Sequence, residues 1–456
     1  MFNLEHTLDQ SECVDFTSSE TRRLIGQLKA KKAPGPDRIT NEVIKQLPNA
    51  ILKHILEIFN SAYKLHYFPI AWKQAEIVTF PKPGKDPIFP QNRRPISLLC
   101  ALGKLFERLI LKRLNKISHE RNLIPKAQFG FSRGCSATHQ LVRLTECIST
   151  GFMQKQSTVA VFLDVSKAYD STWPTGLLYK LSQMQIPSDL IFIIQSYLAQ
   201  RSFRVKVDGA RSSWRPMLAG VPQGSTLSPL LYNLYTADIP QTRTTEIAMY
   251  ADDVCIYAKT KNLRFAHLAV QRHLSEVEEW AKKWRILINT EKTNCIVFSK
   301  KRNSKLPPLE MYGQETGFTK RGPYLGVMLH HRLNWKSHCD IVRAKALRSL
   351  RGLTPLLRSS LPIKTKILVY TAYIRPILTY AAEAWAFLSK QNMSRLQVVQ
   401  NKALRIIGDY DYDTTILQLH QDNISFVTQL GRSSVGVALP AWSRLCGRNL
   451  IIHQKF

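Results

Sequence analysis

Residues 247–257 read IAMYADDVCIY, in which two short apolar runs flank Ala251, Asp252 and Asp253. Runs of this length and composition predict strands, and the polar residues between them predict a tight hairpin. Taken alone, the stretch is also explained by an ordinary polar turn, because Asp is common in turns.

A third aspartate stands 88 residues earlier along the chain. Residues 158–163 read TVAVFL, a β-branched apolar run typical of a buried strand, and Asp164 follows directly. A carboxylate at the end of a buried strand is costly unless its charge is compensated, and neighbouring carboxylates raise each other's pKa. Mg²⁺ resolves both problems, since it prefers oxygen ligands and is shared between carboxylates and phosphates. The three acids therefore predict a two-ion Mg²⁺ centre for phosphoryl transfer, with Mn²⁺ as an alternative ion. The alternative without a metal is that Asp164 caps a strand end and that Asp252 and Asp253 form an ordinary polar turn.

The composition favours a folded protein with a polyanionic partner. The 456 residues include 64 Lys and Arg against 33 Asp and Glu, a net charge of +31, yet only 21% are charged and 44% are hydrophobic. Such a balance is usual for a protein that lies along a phosphate backbone and unlike that of a disordered basic tail.

Cysteine spacing, the N-terminal sequence and the apolar runs further narrow the class of protein. No two of the eight cysteines are closer than 12 residues, which excludes zinc-knuckle spacing and is typical of reduced thiols in an intracellular protein. The acidic N-terminus is not a signal peptide. The most apolar stretch, residues 367–388, contains Arg375, Pro376 and Glu383, so no membrane span is expected.

The order of the predicted elements indicates an α+β chain with an all-helical C-terminal module. Periodicity predicts helices over residues 24–28, 43–65, 102–117 and 262–284, and from Lys336 onward the pattern is helical and basic. The predicted strands cover residues 75–80, 158–163, 203–207, 247–250, 254–257, 286–288 and 295–298. Residues 316–335 form the best domain boundary.

The segments around the aspartates resemble known motifs. Residues 249–253 (MYADD) resemble the Y-A-D-D box of reverse transcriptases, and residues 162–170 (FLDVSKAYD) resemble their first catalytic motif. Residues 219–229 (AGVPQGSTLSP) resemble the motif between them, in the right order and at the right spacing. Further matches narrow the resemblance to non-LTR retrotransposons, most like the jockey group of animal mobile elements, over residues 24–419. They lie at residues 31–37, 81–85, 94–99, 128–131, 138–141, 284–298, 324–326 and 400–405.

The resemblance implies a right-hand polymerase, with fingers and a palm of antiparallel sheet plus helices, followed by an all-helical thumb. We divide the chain into an acidic N-terminal segment (1–24), fingers (25–157), palm (158–318), primer grip and thumb (319–420) and a tail (421–456). The implied partners are an RNA template, a DNA primer and dNTPs, with no membrane. The implied location is intracellular, and nuclear during integration. Elements of this type also encode an endonuclease, so we expect the chain to be a fragment of a longer reading frame.

The resemblance also assigns roles around the metal centre. Asp164 and Asp252 would share the two Mg²⁺ ions, Asp253 would support them, and the Val165 carbonyl would complete one coordination shell. Tyr169 would pack beneath the sugar and exclude a 2′-hydroxyl, with simple core packing as the alternative.

Other motif positions would hold the nucleotide and the primer. Gln223 and Gly224 would border the templating base pair, unless they form an ordinary turn. The incoming triphosphate would be clamped by Lys82 and Arg94, and Lys292 would lie near the leaving pyrophosphate; the alternative for each is a solvated surface cation. The primer grip would consist of Tyr324, Leu325 and Gly326. Basic residues within 336–358 would follow the duplex backbone or form a solvated helix face.

Several positions depart from the family pattern without removing a metal ligand. They are Arg38, Arg93, Ser132-Arg133, Ser166, Ser171 and Pro174. Together they favour a degraded copy or a divergent lineage. Two rivals therefore stand beside the polymerase. One is a catalytically inactive nucleic-acid-binding remnant, which the intact acids disfavour. The other is an RNA-dependent RNA polymerase or intron maturase, which Tyr169 and the thumb signature disfavour.

Overall fold

A computed structural model describes residues 14–82, 84, 86–301, 306–385, 388–411 and 413–415. The part before Asp164 is mostly helical, with short 3₁₀ turns at Ile70–Trp72 and Pro90–Asn92. Its helices and strands are α1 (Ser18–Gly26), α2 (Asn41–Lys45), α3 (Asn49–Lys64), β1 (Gln74–Pro81), β2 (Arg93–Leu98), α4 (Ala101–Glu120) and α5 (Ala137–Met153).

The helix predicted over residues 43–65 is two helices in the structure, α2 and α3. Pro48 stands at the N-cap of α3 with φ −57° and ψ 153°. A proline disfavours the helical region for the residue before it and lacks an N–H to donate, so periodicity continues through a point where the backbone cannot.

The middle of the chain alternates strands and helices. The elements are β3 (Ser157–Asp164), α6 (Pro174–Gln183), α7 (Ser188–Leu198), β4 (Arg201–Val207), β5 (Ala210–Arg211), β6 (Arg215–Met217), α8 (Ser228–Tyr235), β7 (Glu246–Tyr250), β8 (Asp253–Thr260), α9 (Leu263–Lys283), β9 (Asn294–Phe298), β10 (Leu309–Met311) and β11 (Gln314–Thr316). The strand predicted at residues 286–288 is wrong. In the structure, Ile288 makes a single β-bridge to Val165. The segment leaves α9 through Arg285, which has φ +54°, and it does not extend this bridge into a strand ladder.

The C-terminal part begins with three short strands and then becomes helical, as predicted. Its elements are β12 (Phe318–Thr319), β13 (Arg321–Tyr324), β14 (Val327–His330), α10 (Lys336–Arg358), α11 (Ile363–Val369), a π-helical turn (Tyr370–Ile374), α12 (Arg375–Thr379), α13 (Ala382–Trp385) and α14 (Lys390–Gly408). In the portion of the chain covered by the structure, each helix is too short or too polar to cross a bilayer.

The main sheet is built around β3. Its strand order is β12-β9-β3-β8-β7, and all neighbours are antiparallel except the pair β12 and β9. Residues 157–163 are all buried because helices cover both faces. Val161 faces the core that contains α9, whereas Phe162 faces α5 and the C-terminal helices. This double covering explains why β3 reads as a continuous apolar run.

A second sheet has the order β2-β1-β4-β5, with β6 also paired to β4. Its β4–β6 strands come from residues 201–217, within the segment assigned from sequence to the palm, yet β4 pairs in parallel with β1 of the predicted fingers. The two predicted units therefore share a sheet. The α+β fold class, with an antiparallel sheet, flanking helices and a following helical module, is confirmed.

Candidate active site

Strand register brings the three aspartates together at one end of the main sheet. Asp164 pairs directly with Asp253 across β3 and β8, and Tyr250 pairs with the same Asp253 across the hairpin of β7 and β8. Directly opposed residues have Cβ atoms about 4.5–5.5 Å apart. Ala251, at φ +56°, starts the tight turn that carries Asp252.

The electrostatics of these acids show the conflict that the sequence predicts. Burial, reinforced by the charges of Asp252 and Asp164, raises the pKa of Asp253 to about 6. Burial is also the main cause that raises the pKa of Asp252, and Asp164 adds to it. A carboxyl group whose pKa is raised by neighbouring negative charges favours a nearby cation, and an all-oxygen donor set suits Mg²⁺ or Mn²⁺. Within the described ranges, no three His, Cys, Asp or Glu side chains form a ready-made metal cage. Mg²⁺ commonly takes only one or two carboxylates and completes its shell with water and substrate phosphates.

Lys292 lies in this acidic cluster. Its Nζ is 3.2 Å from Asp164 Oδ2, although the lysine side chain is 64% exposed. The preceding turn is tied to the same strand end, because the Asn289 N–H donates to the Asp164 carbonyl at 2.8 Å. Val165, next along the chain, bridges to Ile288. Lys292 is thus an exposed turn lysine that also lies within ion-pair distance of Asp164.

Tyr169 lies against the acids from the other side. Its ring stacks on Tyr232 with centroids 5.2 Å apart and an interplanar angle of 28°. Its hydroxyl is buried and, among the described residues, has no hydrogen-bond partner. Burial and the charge of Asp252 raise the pKa of Tyr169. A buried hydroxyl without a partner is costly.

Gln223 and Gly224 connect β2 to the turn that follows β3. The Gln223 carbonyl accepts the Ser97 N–H of β2 at 2.9 Å, and its side-chain amide donates to both oxygens of Asp170 at 3.1 and 3.2 Å. Gly224 has φ +110°, and a Cβ there would lie 2.8 Å from the Ser97 carbonyl oxygen. The conformation and the close approach both require glycine.

The structure does not bring Lys82 and Arg94 to the aspartates. Lys82 Nζ donates to the Gln91 carbonyl at 2.9 Å, and Arg94 is exposed on β2, opposite Phe80. Neither has an ion pair with Asp164, Asp252 or Asp253 in the described parts of the chain. They flank the site through β2, which carries the Ser97 contact to Gln223.

Gln128 holds the aspartate hairpin, and sequence reasoning assigned it no role. Its Oε1 accepts the Ala251 N–H at 2.9 Å and the Gly130 N–H at 2.8 Å, and the side chain is buried. Gly130 approaches so closely that a Cβ would lie 2.2 Å from the Ala251 nitrogen. The motif at residues 128–131 was a usable signal, but only the fold shows what it contacts.

Glu107 holds the loop around Gly224, here called the glycine loop, as Gln128 holds the aspartate hairpin. This carboxylate is 1% exposed on α4, and its Oε2 accepts the Ser225 hydroxyl at 2.7 Å and the Thr226 N–H at 2.7 Å. The Thr226 hydroxyl donates to it as well, at 2.9 Å. Glu107 thereby fixes the residues that directly follow Gly224. No sequence signal separates it from the other acids of an amphipathic helix.

The predicted primer grip is the turn between β13 and β14. Leu325 and Gly326 have φ values of +44° and +79°, and the Tyr324 ring packs 5.0 Å from Phe162 on β3. The Leu325 carbonyl accepts the Tyr380 hydroxyl at 3.0 Å. The charge of Asp253 contributes to the raised pKa of Tyr380, after burial and Tyr250, so the turn lies near the aspartate hairpin.

The basic residues of α10 project away from its packed face. Val342, Ala346 and Leu350 are buried, whereas most of the cations are exposed. Asp340 is engaged by Arg395. The exposed cations are Lys336, Lys345, Arg348, Arg351 and Arg358.

Comparison with known proteins agrees with this geometry. A family model described as reverse transcriptase (RNA-dependent DNA polymerase) matches residues 80–329. In Drosophila melanogaster, the probable RNA-directed DNA polymerase from transposon BS is 36% identical over 409 residues, 87% of this chain and 45% of that protein. The RNA-directed DNA polymerase from mobile element jockey is 36% identical over 404 residues, 86% of this chain and 44% of that protein.

The chain therefore spans somewhat less than half the length of these curated relatives. Among solved structures, apo telomerase from Candida tropicalis aligns with a TM-score of 0.45 at 11% identity, covering 88% of this chain and 68% of that chain. The resemblance seen in the motifs is confirmed: the chain belongs to the reverse transcriptase (RNA-dependent DNA polymerase) family and is similar to the jockey and BS enzymes of Drosophila non-LTR elements.

Proposed function

We propose that this chain is the RNA-directed DNA polymerase of a non-LTR retrotransposon, which extends a primer on an RNA template and releases pyrophosphate. The observation that carries this proposal is the convergence of Asp164, Asp252 and Asp253 at one sheet end, within the matched family segment. A polymerase needs such a cluster because charge develops on the transferring phosphoryl group.

The donor set fits two Mg²⁺ ions, with Mn²⁺ as an alternative. Asp164 and Asp252 would hold them, supported by Asp253 and the Val165 carbonyl. When bound, the ions would neutralise negative charge on the triphosphate and lower the pKa of the primer 3′-hydroxyl. The mutual repulsion of the three carboxylates supports this assignment, since it is relieved by a cation.

The other site residues would bind and orient the substrates. Lys292 would move from Asp164 to the leaving pyrophosphate, where its ammonium neutralises charge or donates a proton. Tyr169 would pack beneath the sugar of the incoming dNTP and reject a 2′-hydroxyl. Gln223 and Gly224 would border the templating base pair.

Basic and turn residues around this centre would hold the remaining parts of the substrates. Lys82 and Arg94 would contact the triphosphate from the β1–β2 side, Arg by bidentate geometry and Lys as a point charge. The turn of Tyr324, Leu325 and Gly326 would contact the primer end, and the exposed cations of α10 would follow the duplex backbone.

The partners that this activity needs are an RNA template, a DNA primer and dNTPs. We further propose an intracellular location, nuclear during integration, and an endonuclease elsewhere in the parent element. These proposals rest on the family alone.

Primer extension tests the activity and the identity of its substrates. The purified chain is given a DNA primer on an RNA template with Mg²⁺ and dNTPs, beside the Asp252→Ala variant. We expect synthesis by the unaltered chain, dependence on dNTPs rather than rNTPs, and no synthesis by the variant. Salt-sensitive RNA binding without synthesis would instead identify a catalytically inactive remnant, and preference for rNTPs would identify an RNA polymerase.

A further inference from the structure

Three segments bring cations to the open end of the β13–β14 hairpin, outside the site described above. The Ser299 N–H donates to the His331 carbonyl at 3.1 Å, and the His331 N–H donates to the Lys320 carbonyl at 2.9 Å. Arg321 pairs with His330 across the strands. The basic edge defined here consists of Lys300, Lys301, Lys320, Arg321, His330, His331 and Arg332.

The cations of the basic edge are exposed and lack acidic partners. Among the described residues, none of the lysines and arginines in this set lies within 4.0 Å of an acidic oxygen. The two imidazole rings lie 4.4 Å apart. Burial, then His331 and the cations at Arg332, Arg321 and Lys320, lowers the pKa of His330. The edge therefore concentrates positive charge that nothing in the described fold compensates, an arrangement that suits a polyanion.

The basic edge is separate from the predicted primer grip. The turn at Leu325 and Gly326 closes one end of the hairpin, and the Arg321–His330 pair stands at the other. Three residue steps along a strand span roughly 10 Å, so the two ends of this hairpin face different surroundings.

We propose that the basic edge binds the phosphate backbone of the template RNA beyond the primer duplex. The inference rests on the proposed polymerase function, which places a long RNA at the neighbouring site. RNA already held at the active site has a high effective concentration at a second site on the same molecule. An open row of Lys and Arg without base-reading side chains fits backbone recognition and predicts salt-dependent, sequence-independent binding.

The experiment compares two ligands with the full chain. One is a short DNA primer fully paired to an RNA template, and the other is the same duplex with a long single-stranded RNA extension. Dissociation constants are measured at several salt concentrations for the unaltered chain and for the triple variant Lys301→Gln, Lys320→Gln, Arg332→Gln. The matched control is Lys29→Gln, Lys45→Gln, Lys53→Gln, which removes three exposed lysines from the N-terminal part of the chain.

We expect the extension to tighten binding by the unaltered chain and by the control, and the edge variant to lose most of that gain. Three lost phosphate contacts reduce the salt slope by about 2, at roughly 0.7 per single-strand contact. Single-nucleotide incorporation on the short duplex should be unchanged in the edge variant. Thermal unfolding of each variant confirms that the exposed substitutions leave the fold intact.

The proposal is overturned if the extension adds no affinity, if the edge variant keeps the full gain, or if both variants lose it equally. An equal loss on the short duplex would also overturn it, because the edge would then belong to the active-site cleft. A docking surface for an acidic protein would leave RNA affinity unchanged in the edge variant. Failure of the polymerase proposal is read separately, as absent incorporation by the unaltered chain.

Discussion

At the residue scale, the proposed chemistry depends on three acids held close together, and the turn that carries one of them is supported by an uncharged side chain. The Ala251 N–H of the aspartate turn donates to Gln128 Oε1, which also accepts the Gly130 N–H. The turn that carries Asp252 is therefore supported by a side chain more than 100 residues earlier in the chain. Glu107 has the same relation to the glycine loop through Ser225 and Thr226.

Replacing Gln128 with Met tests this positioning role. The change leaves two buried N–H groups without their acceptor, at about 1–3 kcal/mol each, so the free energy of unfolding should fall by about 2–6 kcal/mol. The rate constant for nucleotide incorporation should also fall, even at temperatures at which the variant is fully folded. Gln46→Met, at an exposed glutamine, is the control. Unchanged incorporation in a folded Gln128→Met variant would refute the role.

The stacked ring of Tyr169 makes a second prediction at this scale. In Tyr169→Ala the sugar would lose its steric partner, so discrimination between dNTP and rNTP should drop roughly 10-fold to 200-fold, the range for one small group in a pocket. Tyr169→Phe keeps the ring and removes the hydroxyl, and should retain discrimination. Ratios of kcat/KM for the paired nucleotides measure both. A loss in the Phe variant as large as in the Ala variant would rule out the steric explanation.

The sequence could indicate the candidate site residues but not the side chains that support them. Asp164, Asp252 and Asp253 carry signals in their own neighbourhood, namely a strand end and a hairpin tip. Gln128 and Glu107 act through partners more than 100 residues away, at Ala251 and Ser225. Such a contact exists only once the sheets have formed, so it cannot be predicted from periodicity or turn-forming residues.

At the scale of elements, the C-terminal helices are anchored to the sheet at the start of α10. His338, in the first turn, accepts the Met328 N–H at 3.3 Å and packs against Trp385 with ring centroids 4.9 Å apart. It is 3% exposed. Because β14 carries Met328 and adjoins the predicted primer grip, this histidine connects the helical module to the site.

Burial lowers the pKa of His338 to about 4, against about 6.5 in an unfolded chain. The unfolded state then binds more protons between these values, so stability present above pH 6.5 is lost as the pH falls toward 4. From pH 6.5 to pH 5 the loss is about 2 kcal/mol from this residue. The free energy of unfolding, measured with denaturant across this pH range, should depend less steeply on pH in His338→Gln than in the unaltered chain. The same pH dependence in both proteins would contradict the lowered pKa of His338.

Element boundaries were predictable where one local signal dominates. The hairpin of β7 and β8 and the helix α9, capped by Asn262, follow from apolar spacing and a polar cap. The failures lie where two signals compete. Apolar spacing continues across Pro48, but the backbone breaks there. Residues 286–288 have a strand-like composition, but only one bridge is available to them.

At the scale of the molecule, the net charge of +31 includes two sets of exposed cations, on α10 and on the basic edge. The shared sheet of β1, β2 and β4 places the predicted fingers strands beside Gln223. Sequence could predict the α+β order of elements, but a parallel pairing between residues 74–78 and 202–206 has no local signal.

This charge predicts a steep salt dependence for binding of the template–primer duplex. If six to ten phosphates are contacted, affinity should fall by about 10³–10⁵ between 50 and 200 mM salt. Substituting Arg348 and Arg351 by Gln should lower the slope by about 2 while leaving sequence preference unchanged. Fluorescence anisotropy at graded salt measures the slope. If the affinity of the unaltered chain for the duplex did not change with salt, recognition of the phosphate backbone would be excluded as the source of that affinity.

The most direct test of the central claim is the rate constant for a single dNTP incorporation at saturating dNTP and Mg²⁺. Asp164→Asn and Asp252→Asn each keep the shape of the side chain and remove one charge, and Asp208→Asn makes the same change at an exposed hairpin residue with φ +48°. We predict a fall on the order of 10³-fold for the first two, since several kcal/mol of charge stabilisation are lost, and no change for Asp208→Asn. Incorporation at the unaltered rate by Asp252→Asn, in a chain that still binds the duplex, would contradict the account.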